Sequence, residues 1–251
     1  MKPKRPPTLE SLLQQVNAVA DGRPVGMVLA GHNGSGKSTL WYERLAPVLQ
    51  RPLINADRLI TSILPPTGAD NQLVPWAAKL RDEDERWQKL AQEGVDAFTR
   101  LVTDRRMSFA FETVFSYWEP QPDGTVKSKI NVIEDLQKAG YFVVLFFVGL
   151  ANVEISIARV RQRKERGGHD VDKGKLRTRF PRTQQAIRQA SSVADMTLMF
   201  DNSLTTAEAF QVTRAQQKAA VLYDCRDAAY SAPPSLRVAA TPWLEQVAGG
   251  F

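Results

Sequence analysis

Lys37 and Ser38 close the octapeptide Gly31-His32-Asn33-Gly34-Ser35-Gly36-Lys37-Ser38, which fits G-x-x-x-x-G-K-[ST] at every fixed position. It follows the apolar run Val25-Gly26-Met27-Val28-Leu29-Ala30, so it stands where a strand hands over to a helix. Glycines at 31, 34 and 36 let the backbone curl until successive N–H groups face phosphate oxygens, and the following helix adds its positive dipole end. Residues Gly31 to Thr39 are therefore expected to cradle ATP, Lys37 to reach the β and γ phosphates, and Ser38 to hold Mg²⁺. The glycines run G-x-x-G-x-G, not G-x-G-x-x-G, which disfavours a dinucleotide fold.

Two carboxylates have the spacing to work beside such a loop. Asp57, in Ile54-Asn55-Ala56-Asp57-Arg58, is expected at the carboxyl end of a second strand, where it would accept the proton of an attacking hydroxyl. The alternative is that it caps a helix beginning at Arg58. Glu112 ends the apolar segment Ser108-Phe109-Ala110-Phe111-Glu112-Thr113 and would either support Mg²⁺ or hold a substrate hydroxyl, with Thr113 and Ser116 as polar neighbours on the acceptor side.

Residues 159–188 hold eleven Lys or Arg against three acids, a local excess larger than the +6 of the whole chain. Arg159, Arg163 and Arg166 share a helical face, Gly167-Gly168 breaks it, and Arg179 and Arg182 resume three residues apart. Two arginine-bearing segments about a break suit a lid that closes on a triphosphate. His169 beside the glycines is read as shaping that turn, and His32 carries little weight.

The elements that must position these groups alternate. Apolar segments at 25–30, 52–54, 107–112, 141–148 and 196–200 read as buried parallel strands separated by helical stretches, which is an α/β pattern. The longest helix is expected from about Pro75 to Thr103, with Trp87, Leu90, Ala91, Val95, Phe98, Leu101 and Val102 as a core stripe. Residues 116–129 read as a loop or small hairpin over the strand ends, and 130–139 as a helix. Thr8 and Ser11 begin a short helix after a basic tail at 1–7 expected to be disordered. The segment from 207 to 251 offers a possible strand at 219–223 and a Pro242-Trp243-Leu244 that docks on the core.

Composition narrows the classes. A net charge of +6 and a pI near 9.5 imply an anionic partner. One cysteine, Cys225, excludes a disulfide framework, and two histidines disfavour a His-rich metal site. No run of 18 apolar residues occurs, so no membrane partner and a cytoplasmic location are expected.

Taken together, GHNGSGKSTL, NADRL, FAFETVFS, AGYFVVLFFVGL, RVRQRKERGGHDV, LRTRFPRT and ADMTLMFDNS resemble the zeta-toxin-like P-loop kinases over residues 25–203. The resemblance implies a three-layer P-loop NTPase fold, with a five-stranded parallel sheet ordered 2-3-1-4-5 and an arginine-rich lid. It places a tail and helix at 1–24, the kinase domain at 25–206 and an extension at 207–251. It implies ATP-dependent phosphorylation of a nucleotide sugar such as UDP-N-acetylglucosamine, or of another anionic metabolite, and an antitoxin partner. Carried over residue by residue, Lys37 and Ser38 serve phosphate and Mg²⁺, Asp57 is the base, Glu112 a substrate contact, and Arg163, Arg166 and Arg179 the lid arginines. A polynucleotide-end kinase would need aromatic residues interleaved with the basic run, and Phe180 alone supplies one, so nucleic acid is disfavoured. A non-catalytic ATP-binding module would not need Lys37, Ser38, Asp57 and Glu112 together.

Overall fold

The computed structural model of the chain describes residues 3–66, 73–122, 124, 126–165 and 171–250. Thr8 accepts the N–H of Ser11 and so caps α1 (Leu9–Ala20), whose Leu12, Leu13 and Val16 are buried. β1 (Val25–Gly31) leads through the loop into α2 (Lys37–Leu40), a π-helical turn (Trp41–Leu45) and α3 (Ala46–Leu49). β2 (Leu53–Ile54), α4 (Ala56–Ser62), α5 (Pro75–Glu83), α6 (Glu85–Asp104) and β3 (Phe109–Thr113) follow. A hairpin of β4 (Trp118–Pro120) and β5 (Val126–Ser128) precedes α7 (Ile130–Lys138), β6 (Phe142–Gly149), α8 (Val153–Glu165), α9 (Lys173–Val193) and β7 (Met196–Asp201). After a 3₁₀ turn (Thr206–Glu208) come β8 (Gln211–Gln217), β9 (Ala220–Asp224) and α10 (Pro234–Ala248).

The sheet runs β2-β3-β1-β6-β7-β8-β9. Its first five strands are parallel, in the expected order, and every residue of the central β6 is buried, as both faces being covered requires. The expected count of five is corrected to seven, because β8 and β9 extend the sheet antiparallel. β8 reads QVTRAQQ, with no apolar run. Its buried polar groups are paired instead: Thr213 Oγ1 donates to Met199 O, and Arg214 bonds Gln216 and Asp224.

Three further expectations change. The long helix is two, broken at Asp84, whose carboxylate accepts the N–H groups of Arg86 and Trp87 and restarts the helix as α6. Within its stripe Ala91 and Val102 are buried, but Leu90, Phe98 and Leu101 are half exposed, at 55%, 50% and 51%. The basic tail is not free either: Lys4 donates its N–H to Ala229 O and accepts that of Ser231.

Registers align the carboxyl ends of the parallel strands on one rim: Ala30 lies opposite Thr113, Gly31 opposite Val148, and Gly149 opposite Asp201. Ligands of open α/β sheets bind along that edge. No described helix is long and apolar enough to cross a membrane.

Candidate active site

The loop after β1 is shaped by two left-handed glycines, Gly34 at φ 69° and Gly36 at φ 88°. A Cβ on Gly36 would lie 2.6 Å from Asn202 Nδ2, so only glycine fits where the chain turns into α2. Outside braces hold the curl. Asn202 Nδ2 donates to Ser35 O at 2.8 Å, and Ser156 Oγ donates to Asn33 O at 2.7 Å. Behind Asn202, Trp243 of α10 donates its indole N–H to Asp201 at 2.8 Å and lies against Gly149, where an added Cβ would fall 2.5 Å from its ring.

Lys37 is buried at 7% exposure and donates Nζ to Gly31 O and His32 O, both at 3.1 Å, with Glu112 Oε1 at 3.7 Å. Burial drives its ammonium pKa down, and the Glu112 carboxylate works against that shift. Ser38 Oγ donates to Glu112 Oε2 at 2.9 Å and Asn55 Nδ2 to the same oxygen at 2.6 Å, so loop, β3 and the end of β2 meet on one carboxylate.

Two cavities open on either side of Lys37. One, of about 490 Å³, is lined by Ser38, Thr39, Arg159, Gln162, Asn202 and Phe210, with Glu43 and Arg44 from the π turn on its wall. The other, of about 400 Å³, is lined by Asn33, Asp57, Thr113, Ser116, Lys129 and Arg179. Gly34, Lys37, Glu112 and Arg163 line both. Each cavity also carries an aromatic residue in the left-handed region, Phe210 at φ 59° and Phe115 at φ 63°, a strained geometry that clusters at binding sites.

The fold thus brings together Lys37, Ser38, Asp57, Glu112, Thr113, Ser116, Arg163 and Arg179. Asp57 needs correction in place: β2 ends at Ile54, and Asp57 lies in the first turn of α4 with no side-chain hydrogen bond among the described residues. It does not cap that helix, because Asn55 Oδ1 accepts the N–H of Arg58. The imidazole of His32 lines neither cavity: it is buried, stacked on Phe180 and edge-on to Phe147, while the His32 carbonyl accepts from Lys37 Nζ. Arg166, His169 and the Gly167-Gly168 break lie outside the described residues.

Residue spacing had not singled out Asn55, Lys129, Asn202 or Phe210. Arg159 was placed on the arginine face, but its side of Lys37 was not legible. Burial and desolvation lower its guanidinium pKa, opposed by Asp201, and its Nη1 has no hydrogen-bond partner among the described residues. Four of the seven such buried orphan atoms, on His32, Asn33, Ser35 and Arg159, belong to the loop or the helix against it, and two of these residues, Asn33 and Arg159, line the cavities. An unpaired buried donor costs about 1–3 kcal/mol, which a polar ligand would offset.

The chain has an α/β architecture with a mostly parallel sheet, which fits a P-loop kinase fold. No protein-family model matches the chain, and no curated protein matches it by sequence. Solved structures do match in fold. A chain of the PezAT chromosomal toxin-antitoxin system of Streptococcus pneumoniae superposes at TM-score 0.52 and 13% identity, over 96% of this chain and 87% of that one. Chains of the AvrRxo1-ORF1:ORF2 complex superpose at TM-score 0.55 and 17% identity in the form with sulphate, and 0.53 and 16% in the form with ATP. Both cover 84% of this chain and 67% of that one. These likenesses are of fold, and the fold agrees with the one that the resemblance carried by the motifs implies.

Proposed function

We propose that the chain is an ATP-dependent kinase that phosphorylates a hydroxyl of an anionic small molecule, with a nucleotide sugar as the leading candidate. The observation that carries this reading is the pair of cavities meeting at Lys37, Glu112 and Arg163, one for the donor and one for the acceptor. The fold shared with a chain solved in a complex with ATP supports the donor assignment.

In this reading the triphosphate occupies the loop, Arg159 and Asn202 face the nucleoside end, and Lys37 and Arg163 neutralise charge on the γ-phosphoryl. The Ser38 hydroxyl and Glu112 carboxylate form a hard-oxygen pair that fits Mg²⁺, an ion that takes one or two protein ligands and keeps several waters. When bound, Mg²⁺ supplies charge neutralisation on the phosphates. Asp57 takes the proton of the acceptor hydroxyl. Its oxygen bonds to the γ phosphorus, the bond from that phosphorus to the β–γ bridging oxygen breaks, and ADP leaves. Arg179, which lines the same cavity as Asp57, orients the acceptor's own phosphate, and the ends of α8 and α9 act as the lid. The likeness to a toxin-antitoxin chain supports a role as the toxin of such a pair, restrained by an antitoxin protein.

The test is labelled ATP with a metabolite extract and, separately, UDP-N-acetylglucosamine, using wild type and Lys37→Ala. Label transferred to an acceptor by wild type and lost by about 10²-fold or more in the variant is the expected result. Equal labelling by both proteins would remove the assignment.

A further inference from the structure

The chain beyond β7 does more than widen the sheet. Phe210, directly before β8, and Asn202 enclose the turn at Gly36, where a Cβ would lie 3.1 Å from the Phe210 ring and 2.6 Å from the Asn202 amide. α10 reaches the same turn from behind, through a relay of hydrogen bonds. Ala151 N donates to Ser203 Oγ at 2.8 Å, Ser203 Oγ to Asp201 Oδ2 at 2.8 Å, and Trp243 Nε1 to that same oxygen at 2.8 Å. Asp201 Oδ1 accepts the N–H of Ser203 at 2.7 Å, which closes a tight turn around Asn202.

That turn aims the amide that braces the loop. The Asn202 N–H is held by Gly149 O at 3.2 Å, while its side chain donates to Ser35 O at 2.8 Å. Asp201 and Trp243 are both buried, and the indole supplies one of the three hydrogen bonds that the carboxylate receives. A buried carboxylate that loses a donor turns to find another. The indole itself is fixed without help from the loop. Its ring stands edge-on to Phe147 at 5.6 Å, its neighbours Leu244 and Val247 are buried, and Arg226, paired with Asp224 at 2.7 Å, donates Nη1 to Gly249 O at 2.8 Å just past the end of α10.

We infer that Trp243 is a positioning residue for the phosphate loop: α10 sets the curl of the loop by holding Asp201, through it the Asn202 amide, and through that the carbonyl of Ser35. The consequence for ATP rests on the kinase reading; the ordering of the loop does not. A tryptophan with a purely structural role would stabilise the fold and leave the loop as it is.

The experiment uses Trp243→Phe, which keeps an aromatic ring beside Phe147 and removes the N–H. By calorimetry its Kd for ATP should rise at least about fivefold, but by less than about twofold when Asn202 is already Ala, because the indole then has no brace to hold. Equal increments in both backgrounds, or an unchanged Kd in Trp243→Phe, overturn the assignment. Val247→Ala loosens α10 and keeps the indole bond, so it should bind ATP as wild type does even where it melts lower; a rise as large as that of Trp243→Phe also overturns it. If wild type binds no ATP, the donor assignment of the kinase reading falls, and hydrogen exchange decides on the brace. Faster exchange of the N–H groups of 33–36 in Trp243→Phe, with β1 unchanged, keeps it, and unchanged exchange there removes it. Ser203→Ala loosens the same carboxylate without touching α10, and it is read in the same two ways if Trp243→Phe is unfolded at the assay temperature.

Discussion

The imidazole of His32 lies flat on the ring of Phe180, centroids 3.8 Å apart and planes 11° from parallel. His32 belongs to the loop at the end of β1, and Phe180 to α9, directly after Arg179. Thr183 Oγ1 donates to Val114 O at 3.3 Å on the same helix, so α9 is tied both to the loop and to the segment following β3. Arg179, which lines the second cavity, is thereby set in register with the glycine-rich loop.

His32 makes stability depend on pH. Burial, with Lys37 nearby, holds its pKa near 3 against an ordinary 6.5, so in mild acid only the unfolded chain takes the proton. Its contribution is fully present above pH 6.5 and is lost as pH falls toward 3. From pH 6.5 to pH 5 the loss amounts to about 2 kcal/mol. Urea unfolding at both pH values should show it in wild type and not in His32→Asn; parallel pH profiles would contradict the assignment.

The arginines should separate by cavity. Arg159→Ala is expected to raise KM for ATP and leave that for the acceptor alone, because Arg159 lines only the donor side. Arg179→Ala should lower kcat and raise acceptor KM with ATP affinity unchanged. Arg163→Ala, which touches both cavities, should affect both substrates. Steady-state kinetics with each substrate varied decides, and an Arg179→Ala protein with wild-type kcat places that guanidinium outside the reaction.

Asp57 and its neighbour Asn55 have different roles to lose. Asp57→Asn should keep ATP binding and thermal stability, within about 0.5 kcal/mol, while phosphoryl transfer disappears. Asn55→Ala removes the cap of α4, costing about 1 kcal/mol, and also frees Glu112 from its 2.6 Å bond. Normal transfer by Asp57→Asn would leave the reaction without this base.

Gly36→Ala should abolish nucleotide binding with little change in the rest of the fold. The φ of 88° strains any side chain there, and the new methyl meets Asn202 Nδ2, breaking its bond to Ser35 O. Calorimetric titration with ATP beside a thermal melt checks it, and tight binding by the variant refutes the tight-turn argument.

The parallel part of the fold was legible because its signal is local: apolar runs buried on both faces mark strands at nearly the right residues, and the loop announces itself by fixed spacing. β8 was hidden because its buried side chains are polar and satisfied across strands, a relation no periodicity records. The break at Asp84 was hidden because a cap side chain within a charged stretch looks like a solvated face. Lys37, Glu112 and the arginines were readable as types. Asn55 and Asn202 were not, since their value lies in bonds to Glu112 and Ser35, 57 and 167 residues away. The same limit applied to His32, whose partner Phe180 comes from another helix.

Trp243, the indole that backs Asp201, has a meaning for biosynthesis. A ribosome emits Lys37 about two hundred residues before it, which at elongation speeds of about 5–20 residues per second is a delay of roughly 10–40 s. Until residue 202 is made the loop lacks the Asn202 brace, and after that it still lacks the indole behind it, with the apolar surface around Phe147 and Gly149 uncovered. Maturation of the nucleotide site is therefore a late event in translation. Stalled nascent chains ending before residue 234 should fail to be retained on immobilised ATP, whereas chains with 234–248 extruded should be held.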